Sequence, residues 1–381
     1  MKSIACVLFG LLSTLVITSH NAPGAESKTN VAADDLFSEP KVLQLKIEIP
    51  AASLEALKKA PKTYVKATVR EGDKIYADAG IRLKGNARVE ALEKKPGLTI
   101  KFNEFTSGIH FHGHTRILLD NAIHDPTFLS AAIGGEIFRA ADVPAPKISF
   151  ARVELDGRDV GLYVVEEAAN REFLSEFFNK AKGNLYEGAH TDINDPLEKD
   201  GGDSSKDQPD VKKLAAAARE PDAVQRLKKL APLLDLDRFV SFAAVEVLTW
   251  DHGGYTMSQN NYRIYHDPAN GRMVFIPHSL DQLFAKADGP LVPAWKGILA
   301  TAVLQTPEGQ RRYRERMASL LDTVCKVEKL QGRLNELAGK IRPVIAGNAA
   351  ELKTFDAGVA SLRDRIAKRA YFLGEELKKT H

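Results

Sequence analysis

The sequence predicts an α+β protein in which a β-rich front is followed by a mainly helical back, and three observations carry that expectation. Segments with period-two alternation and tight turn dipeptides crowd the stretch from about 42 to 190, helical periodicity dominates from about 208 to 376, and a polar stretch separates them. With 381 residues, 44% of them hydrophobic, the chain can bury a large core. Its formal charge is only +3 and its acids and bases are interspersed, so composition gives no reason to expect nucleic acid or an anionic membrane as a partner.

Lys2 precedes an apolar run from Ile4 to Ile17, and small polar residues follow from Thr18 to Ala25, the layout of a secretory signal peptide over residues 1–25. That run is too short to span a bilayer comfortably, so the expected destination is secreted or periplasmic, with no stable membrane insertion once the segment is removed. Cys6 lies inside it, which leaves Cys325 as the only cysteine of a mature chain and excludes an intramolecular disulfide. Residues 26–41 are polar and small and read as a linker, and the folded domain is expected over 42–376.

Val42 to Ile49 alternates as a half-buried strand should, Ala51 to Lys59 reads as a short helix, and Tyr64 to Val69 and Ile81 to Leu83 read as strands flanking the turn at Glu71-Gly72-Asp73. Leu98 to Phe102 and Thr115 to Leu119 continue the strands. Asp125-Pro126 has the form of a helix start, with Asp as N-cap and Pro at the first helical position of a helix running to Ala140. The clearest hairpin joins Val153-Glu154-Leu155 to Val160 through Val165, because Asp156-Gly157 supplies the positive φ angles of a tight turn. Asp192 to Asp210, dense in Asp, Gly, Ser and Lys, reads as a solvated loop. Helices are then expected at Val211 to Ala217, Ala223 to Leu230, Leu236 to Leu248, Arg311 to Cys325 and Val359 to Lys378, with a hairpin of Tyr262 to Tyr265 and Met273 to Ile276 among them.

The segment Thr249 to Phe284 concentrates the candidate functional residues. Asp251 ends an apolar helix and opens a Gly-rich turn, Asn260 and Asn261 precede the first hairpin strand, and Asp281 follows the second, which brings these groups to one end of two paired strands. A carboxylate to orient or deprotonate a hydroxyl, together with an amide oxygen and a second carboxylate to hold a hard divalent cation, is the set that phosphoryl transfer needs. The same residues also serve simply as turn caps in many proteins.

The ordered pieces RLKGNAR (Arg82 to Arg88), KKPGLTIKF (Lys94 to Phe102), LLDNAIHDPTFL (Leu118 to Leu129), ARVELDGRDVGLYVVEE (Ala151 to Glu167), GNLYEG (Gly183 to Gly188) and the stretch from Asp251 to Phe284 resemble the CotH family, the atypical kinases named after a bacterial spore coat protein. The resemblance implies a diverged protein-kinase-like bilobal fold, a β-rich N-terminal lobe over a helical C-terminal lobe, that binds ATP with Mg²⁺ or Mn²⁺ and phosphorylates Ser or Thr of an extracytoplasmic protein. It implies Asp251 as catalytic acid/base, Asp281 as the metal-binding acid with Asn260 or Asn261 assisting, and Lys95 as the phosphate-contacting lysine, with Lys84 as substitute. Glu166 or Glu167 would be its partner or a metal ligand. One departure stands out: members often carry two acids as Trp-Asp-x-Asp after the second strand, where this chain has His278-Ser279-Leu280-Asp281. The G-x-G-x-x-G, His-Arg-Asp and Asp-Phe-Gly signatures of ordinary kinases are missing from the sequence.

Two alternatives follow from the same residues. A non-catalytic binding protein or pseudokinase would keep the fold without turnover, and another carboxylate, Glu167 being the natural one, would have to replace Ser279 in an active enzyme. A metal-dependent hydrolase would use His110, His112 and His114, which share one face if HFHGH is a strand, with His124, His252 or His278 adding ligands.

Overall fold

The structure, a computed structural model, describes residues 36–85, 92–203 and 205–379, so the expected signal peptide, the expected linker up to residue 35 and the Asn86 to Arg88 end of RLKGNAR lie outside the described residues. Alternation builds the first part. Strand β1 (Val42–Glu48) buries Leu43, Leu45 and Ile47, every second residue, as the period-two reading requires. After helix α1 (Ala51–Lys59), strands β2 (Val65–Glu71) and β3 (Lys74–Leu83) pair across the Gly72 turn, and β4 (Leu98–Lys101) and β5 (Arg116–Asp120) extend the antiparallel ladder.

Helix α2 (Ser130–Ala140) leads to the hairpin β6 (Ile148–Leu155) and β7 (Arg158–Glu167). Its turn holds Asp156 at φ 49° and Gly157 at φ 77°, the left-handed pair expected of Asp-Gly. β7 pairs with β5 and β6 pairs in parallel with β1, closing a barrel in the order β1-β2-β3-β4-β5-β7-β6. Leu45, Val69, Ile81, Ile100, Phe102 and Val165 fill its interior, and Leu36 and Phe37, read as linker from sequence, are buried in the same core. Helix α2 starts later than expected. Asp125 is still its anchor, accepting from Ser130 N at 2.8 Å and from Thr127 N at 3.0 Å, so it caps the helix across five residues rather than from the adjoining position.

The second part contains α3 (Arg171–Phe177), β8 (Asn184–Gly188), β9 (Glu198–Gly201), α4 (Pro209–Ala218), α5 (Ala223–Leu230), α6 (Leu236–Leu248), α7 (Tyr255–Ser258), β10 (Tyr262–Asp267), β11 (Arg272–Pro277), α8 (Ile298–Leu304), α9 (Pro307–Thr323), α10 (Val327–Ile345) and α11 (Ala349–Lys378). Its strands form a sheet in the order β11-β10-β8-β9. The acidic stretch expected to be a solvated loop supplies β9 and a buried carboxylate. Asp192 accepts from Tyr255 Oη at 3.0 Å, Gln259 Nε2 at 2.9 Å and Ile298 N at 2.7 Å, and that donor set makes burial of a charge tolerable.

The outward faces of β6 and β7 are also apolar, and Phe150, Leu162 and Val164 join Ile133, Phe242 and Leu337 in one core that ties the barrel to the helices. Late in the chain, Arg369 on α11 is fully buried and donates to the carbonyls of Val247, Leu248, Ala287 and Gly289, while its guanidinium lies 5.0 Å from the Trp250 ring. A cation on the C-terminal carbonyls of α6 adds to their hydrogen bonding and favours the negative end of the helix dipole. The C-terminal helix therefore fixes the point at which the functional segment begins.

Candidate functional site

Helix α6 ends at Leu248, and Trp250, just past its cap, has a φ of 47° at a position where helices prefer glycine. From there the chain turns tightly around Glu246. That buried carboxylate accepts from Tyr255 N at 2.8 Å, from Thr256 N at 2.9 Å and from the Thr256 hydroxyl, capping the short α7. A Cβ on Gly254 would stand 2.2 Å from Glu246 Oε1, which is why the turn reads His-Gly-Gly-Tyr. Asp251 sits at its start, 3% exposed, with Oδ2 lacking any hydrogen-bond partner. Burial, then the charges of Glu246 and Asp281, raise its proton affinity well above the ordinary carboxylate range. Burial likewise pushes Glu246 up to about 7.

The hairpin β10–β11 delivers the remaining groups of this side. Its register pairs Tyr262 with Pro277, which places Asn260 and Asn261 beside His278 and the residues after it, and Asn261 O accepts from His278 N at 3.0 Å. Asn261 and Ser279 both adopt left-handed backbone, at φ 49° and 53°. Gln259 and Phe284 do so too, and such a concentration of costly conformations in one segment is characteristic of functional sites. Asn260 Oδ1 accepts from His190 N at 3.0 Å. Asp281 is pushed up to about 6 by burial and by the charge of Asp120, with Lys84 and His124 opposing.

Facing this end is the barrel. Lys84, at the end of β3, donates to Asp120 Oδ2 at 2.5 Å and to Glu166 Oε2 at 3.1 Å. Burial opposes its charge, but the two carboxylates outweigh it and raise its proton affinity above that of a free lysine. Glu166 is driven down in turn: burial alone would raise it, but Lys84, His278 and Arg263 prevail. Glu167 cannot share that role, because successive strand residues face opposite ways. It accepts from Lys147 N at 3.1 Å, leaves Oε1 unpartnered, and is pushed up to about 7 by burial and Glu176. Lys95 lies over the rings of Phe128 and Tyr163 at 5.0 and 5.2 Å, and burial lowers it to about 8.

Between these two sides runs a cleft of about 600 Å³, lined by Lys84, Asp120, Asn260, Asn261, His278 and Asp281 among others. Of the sequence candidates, the cleft lining includes Lys84, Asn260, Asn261 and Asp281; it does not include Lys95, Glu166, Glu167 or Asp251. Glu166 reaches the cleft through Lys84, and Asp251 is linked to it only by the electrostatic effect of Asp281.

Asp120, Arg263, Glu187 and Asp200, which sequence reading left without a role, complete the wall together with His278. Asp120 ends β5 and holds Lys84. Arg263 of β10 is paired with Glu187 of β8 at 2.8 Å, stands 3.6 Å from Asp200, and donates to His278 Nδ1 at 3.0 Å. The cross-strand register Arg263↔Glu187 was accessible in principle, since GNLYEG and NYRIY carry the two charges at matching positions. What makes the pairing of these strands tight is Gly188, where a Cβ would stand 2.2 Å from the Tyr262 ring.

Oxygen donors dominate where the two sides meet: Asp281, Asp120 and the Asn261 amide suit a hard divalent cation, and no set of three His, Cys, Asp or Glu residues converges as a metal centre among the described residues. The histidine hypothesis is corrected by the backbone. Phe111 and His114 form an isolated bridge around a tight turn with His112 at φ 47° and Gly113 at φ 86°, so the alternation expected of a strand is broken. His112 Nε2 contacts Glu71 at 2.8 Å, His114 packs edge-on to Phe37, and His110 Nδ1 lies 3.0 Å from Gly108 O.

The chain is 20% identical to the inner spore coat protein H of Bacillus subtilis (strain 168) over 293 residues, covering 70% of this chain and 80% of that protein. Among solved structures, the Helicobacter pylori proinflammatory kinase CtkA aligns over 78% of this chain and 96% of its own, at 8% identity and a TM-score of 0.36. HipA and HipB of Shewanella oneidensis MR-1, solved with operator DNA, align over 88% of this chain and 74% of the matched chain, at 14% identity and a TM-score of 0.32. The family model described as CotH kinase protein matches residues 81–373, well over half of the sequence, and the chain belongs to that family.

Proposed function

We propose that this protein transfers the γ-phosphoryl group of ATP to a hydroxyl group, that of a Ser or Thr on an extracytoplasmic protein. The observation that carries the reading is the Lys84 ammonium, fixed between Asp120 and Glu166 and facing the same cleft as Asp281 and Asn261. A lysine held by carboxylates keeps a point charge aimed at phosphate oxygens, and the opposing oxygen donors hold the cation that accompanies a nucleotide. Lys84 takes the phosphate-contacting role in this reading and Lys95 does not, because only Lys84 lines the cleft.

Asp281 and Asp120, with Asn261, would hold Mg²⁺ or Mn²⁺, which supplies charge neutralisation at the phosphates. Two carboxylates suffice for Mg²⁺, which keeps several waters and takes the rest of its shell from the nucleotide. Asp120 thus answers the question raised by Ser279, a part Glu167 was expected to play and is turned away from. Asp251 accepts the proton of the acceptor hydroxyl as that oxygen bonds to the γ-phosphorus and the bond to the bridging oxygen breaks, releasing ADP. Its raised proton affinity makes it a stronger proton acceptor when ionised. The leader-like stretch from Lys2 to Ala25 is what places the acceptor outside the cytoplasm in this reading.

A second reading, a pseudokinase that binds nucleotide without turnover, is favoured by Ser279 in place of an acid and by the absence of Asp251 from the cleft lining. Transfer of label from γ-labelled ATP with Mg²⁺ or Mn²⁺, to the protein itself and to a generic acceptor, separates the two. Label that disappears with Asp251→Ala supports the kinase. Metal-dependent nucleotide binding without label supports the pseudokinase, and neither result overturns both.

A further inference from the structure

Among the groups the proposed chemistry leaves unused, His278 is the one at which the two sides of the cleft touch. It follows β11, three residues before Asp281, and its ring is surrounded by charges from three other strands. Nδ1 lies 3.6 Å from Glu166 Oε1 of β7 and 3.0 Å from Arg263 Nη1 of β10, while Nε2 lies 3.8 Å from Glu187 Oε1 of β8. Glu166 uses its other oxygen to hold Lys84 at 3.1 Å. A continuous chain therefore runs from the Lys84 ammonium through Glu166 and His278 to the Arg263–Glu187 pair at 2.8 Å.

We propose that His278 is a positioning residue: it fixes the rotamer of Glu166, and through it the Lys84 ammonium, relative to the β10–β11 end that carries Asp281. The physical ground is packing: among the described residues, Glu166 Oε2 is committed to Lys84, and the imidazole edge stands against Oε1 at 3.6 Å and limits its swing. Arg263 turns Nη2 toward Glu187 and Nε toward Asp200, and its Nη1 donates to the ring. With Arg263 donating into Nδ1, the ring proton belongs on Nε2, facing Glu187. The charged groups around it are Glu166, Glu187, Arg263, Asp200, Lys84 and Asp281, and acids and bases alternate along the chain, so removing the ring leaves Glu166 free to swing rather than repelled into a new fixed place.

This inference rests on the reading of Lys84 as the phosphate-contacting lysine, but its test needs no turnover. The rate of acylation of each lysine by an amine-reactive acetylating reagent is followed by peptide mass spectrometry in the full chain. Wild type, Glu166→Gln, His278→Ala and His278→Gln are compared, with exposed Lys46 as internal control. Glu166→Gln and His278→Ala should each raise labelling of Lys84 about tenfold, as expected when one charge-assisted hydrogen bond of the pair is lost, and leave Lys46 unchanged. His278→Gln, which keeps a donor and an acceptor at the same place, should label Lys84 at the wild-type rate. A general loosening would raise every buried lysine, Lys95 included, and would lower the thermal midpoint. Wild-type protection of Lys84 in His278→Ala, or deprotection in His278→Gln equal to that in His278→Ala, overturns the proposal. Failure of wild type to transfer phosphate while Lys84 behaves as described would count against the kinase reading alone.

Discussion

On the barrel side of the cleft, Asp120 and Glu166 are held ionised by Lys84, whereas on the β10–β11 side Asp251, Glu246 and Asp281 are all pushed toward protonation. Burial acts in the same direction on both sets, so burial is not what separates them. The difference is a cation: one set has Lys84 within 3.1 Å of both carboxylates, and the other has no lysine or arginine among its direct hydrogen-bond partners among the described residues. A folded protein that leaves several acids near one another without a counter-charge accepts a cost in stability, which a bound cation would remove. The paired side carries its own counter-charge, and the unpaired side does not.

The largest effect that would break this comparison is on the unpaired side. Asp251→Asn should lower phosphate transfer by about 10³-fold, in the range of general-base contributions, with nucleotide affinity retained in equilibrium titration. Asp281→Asn should lower Mg²⁺-dependent nucleotide affinity by about 100-fold, as expected for one charged ligand at about 1.4 kcal/mol per decade. The same variant should raise the thermal midpoint of the nucleotide-free protein, because it removes a buried unpaired acid. A lowered midpoint would show that Asp281 is paired in a way that contradicts the comparison.

On the paired side the signs reverse. Lys84→Met should weaken nucleotide binding about tenfold or more and destabilise the fold by about 3 kcal/mol, since it strands the buried Glu166 and the half-buried Asp120. Lys95→Met should change nucleotide affinity less than about twofold, because a lysine over two aromatic rings contributes only local cation–π energy. Equal losses in the two variants, read by calorimetry, would erase the distinction between them.

The smallest expected effect sharpens the contrast between neighbours on one strand. Glu167 is pushed up to about 7 from an ordinary 4.5, so the folded state binds a proton that the unfolded state has released. Stability should therefore fall as pH rises from about 4.5 to about 7, by roughly 3 kcal/mol from this group. Glu167→Gln should flatten that slope in denaturant titrations at pH 5 and pH 8, and an unchanged slope would mean that Glu167 is solvated. Glu166, one residue away, should show no such slope, because Lys84 keeps it ionised throughout the window.

Much of the architecture was legible in the chain because its causes are local. Alternation in Val42 to Ile49 gave a strand, Asp156-Gly157 gave a hairpin, and the apolar run from Leu236 to Leu248 gave the helix that ends before Asp251. Helix α2 was placed early because Asp125-Pro126 has the form of a cap, whereas the carboxylate reaches forward to Ser130 instead. The histidines were expected on one face because HFHGH alternates, and a left-handed residue at His112 undid the alternation. Left-handed backbone at non-glycine residues such as Asn261 and Ser279 leaves little compositional trace, since it is imposed by surrounding contacts.

By itself, the sequence determined the α+β order, the main turns, the family, and the segment from Thr249 to Phe284 as the place to look. Tertiary structure alone decided which lysine faces the cleft, which of two adjacent glutamates holds it, and that Asp120, His278 and Arg263 belong to the wall. The reason is separation along the chain: Lys84 meets Asp120 from 36 residues away and Glu166 from 82, and β1 closes the barrel on β6 from more than a hundred. Periodicity and turn chemistry act over a few residues, while the meeting of distant charges depends on barrel closure and on the register of strands, which only the packed chain specifies.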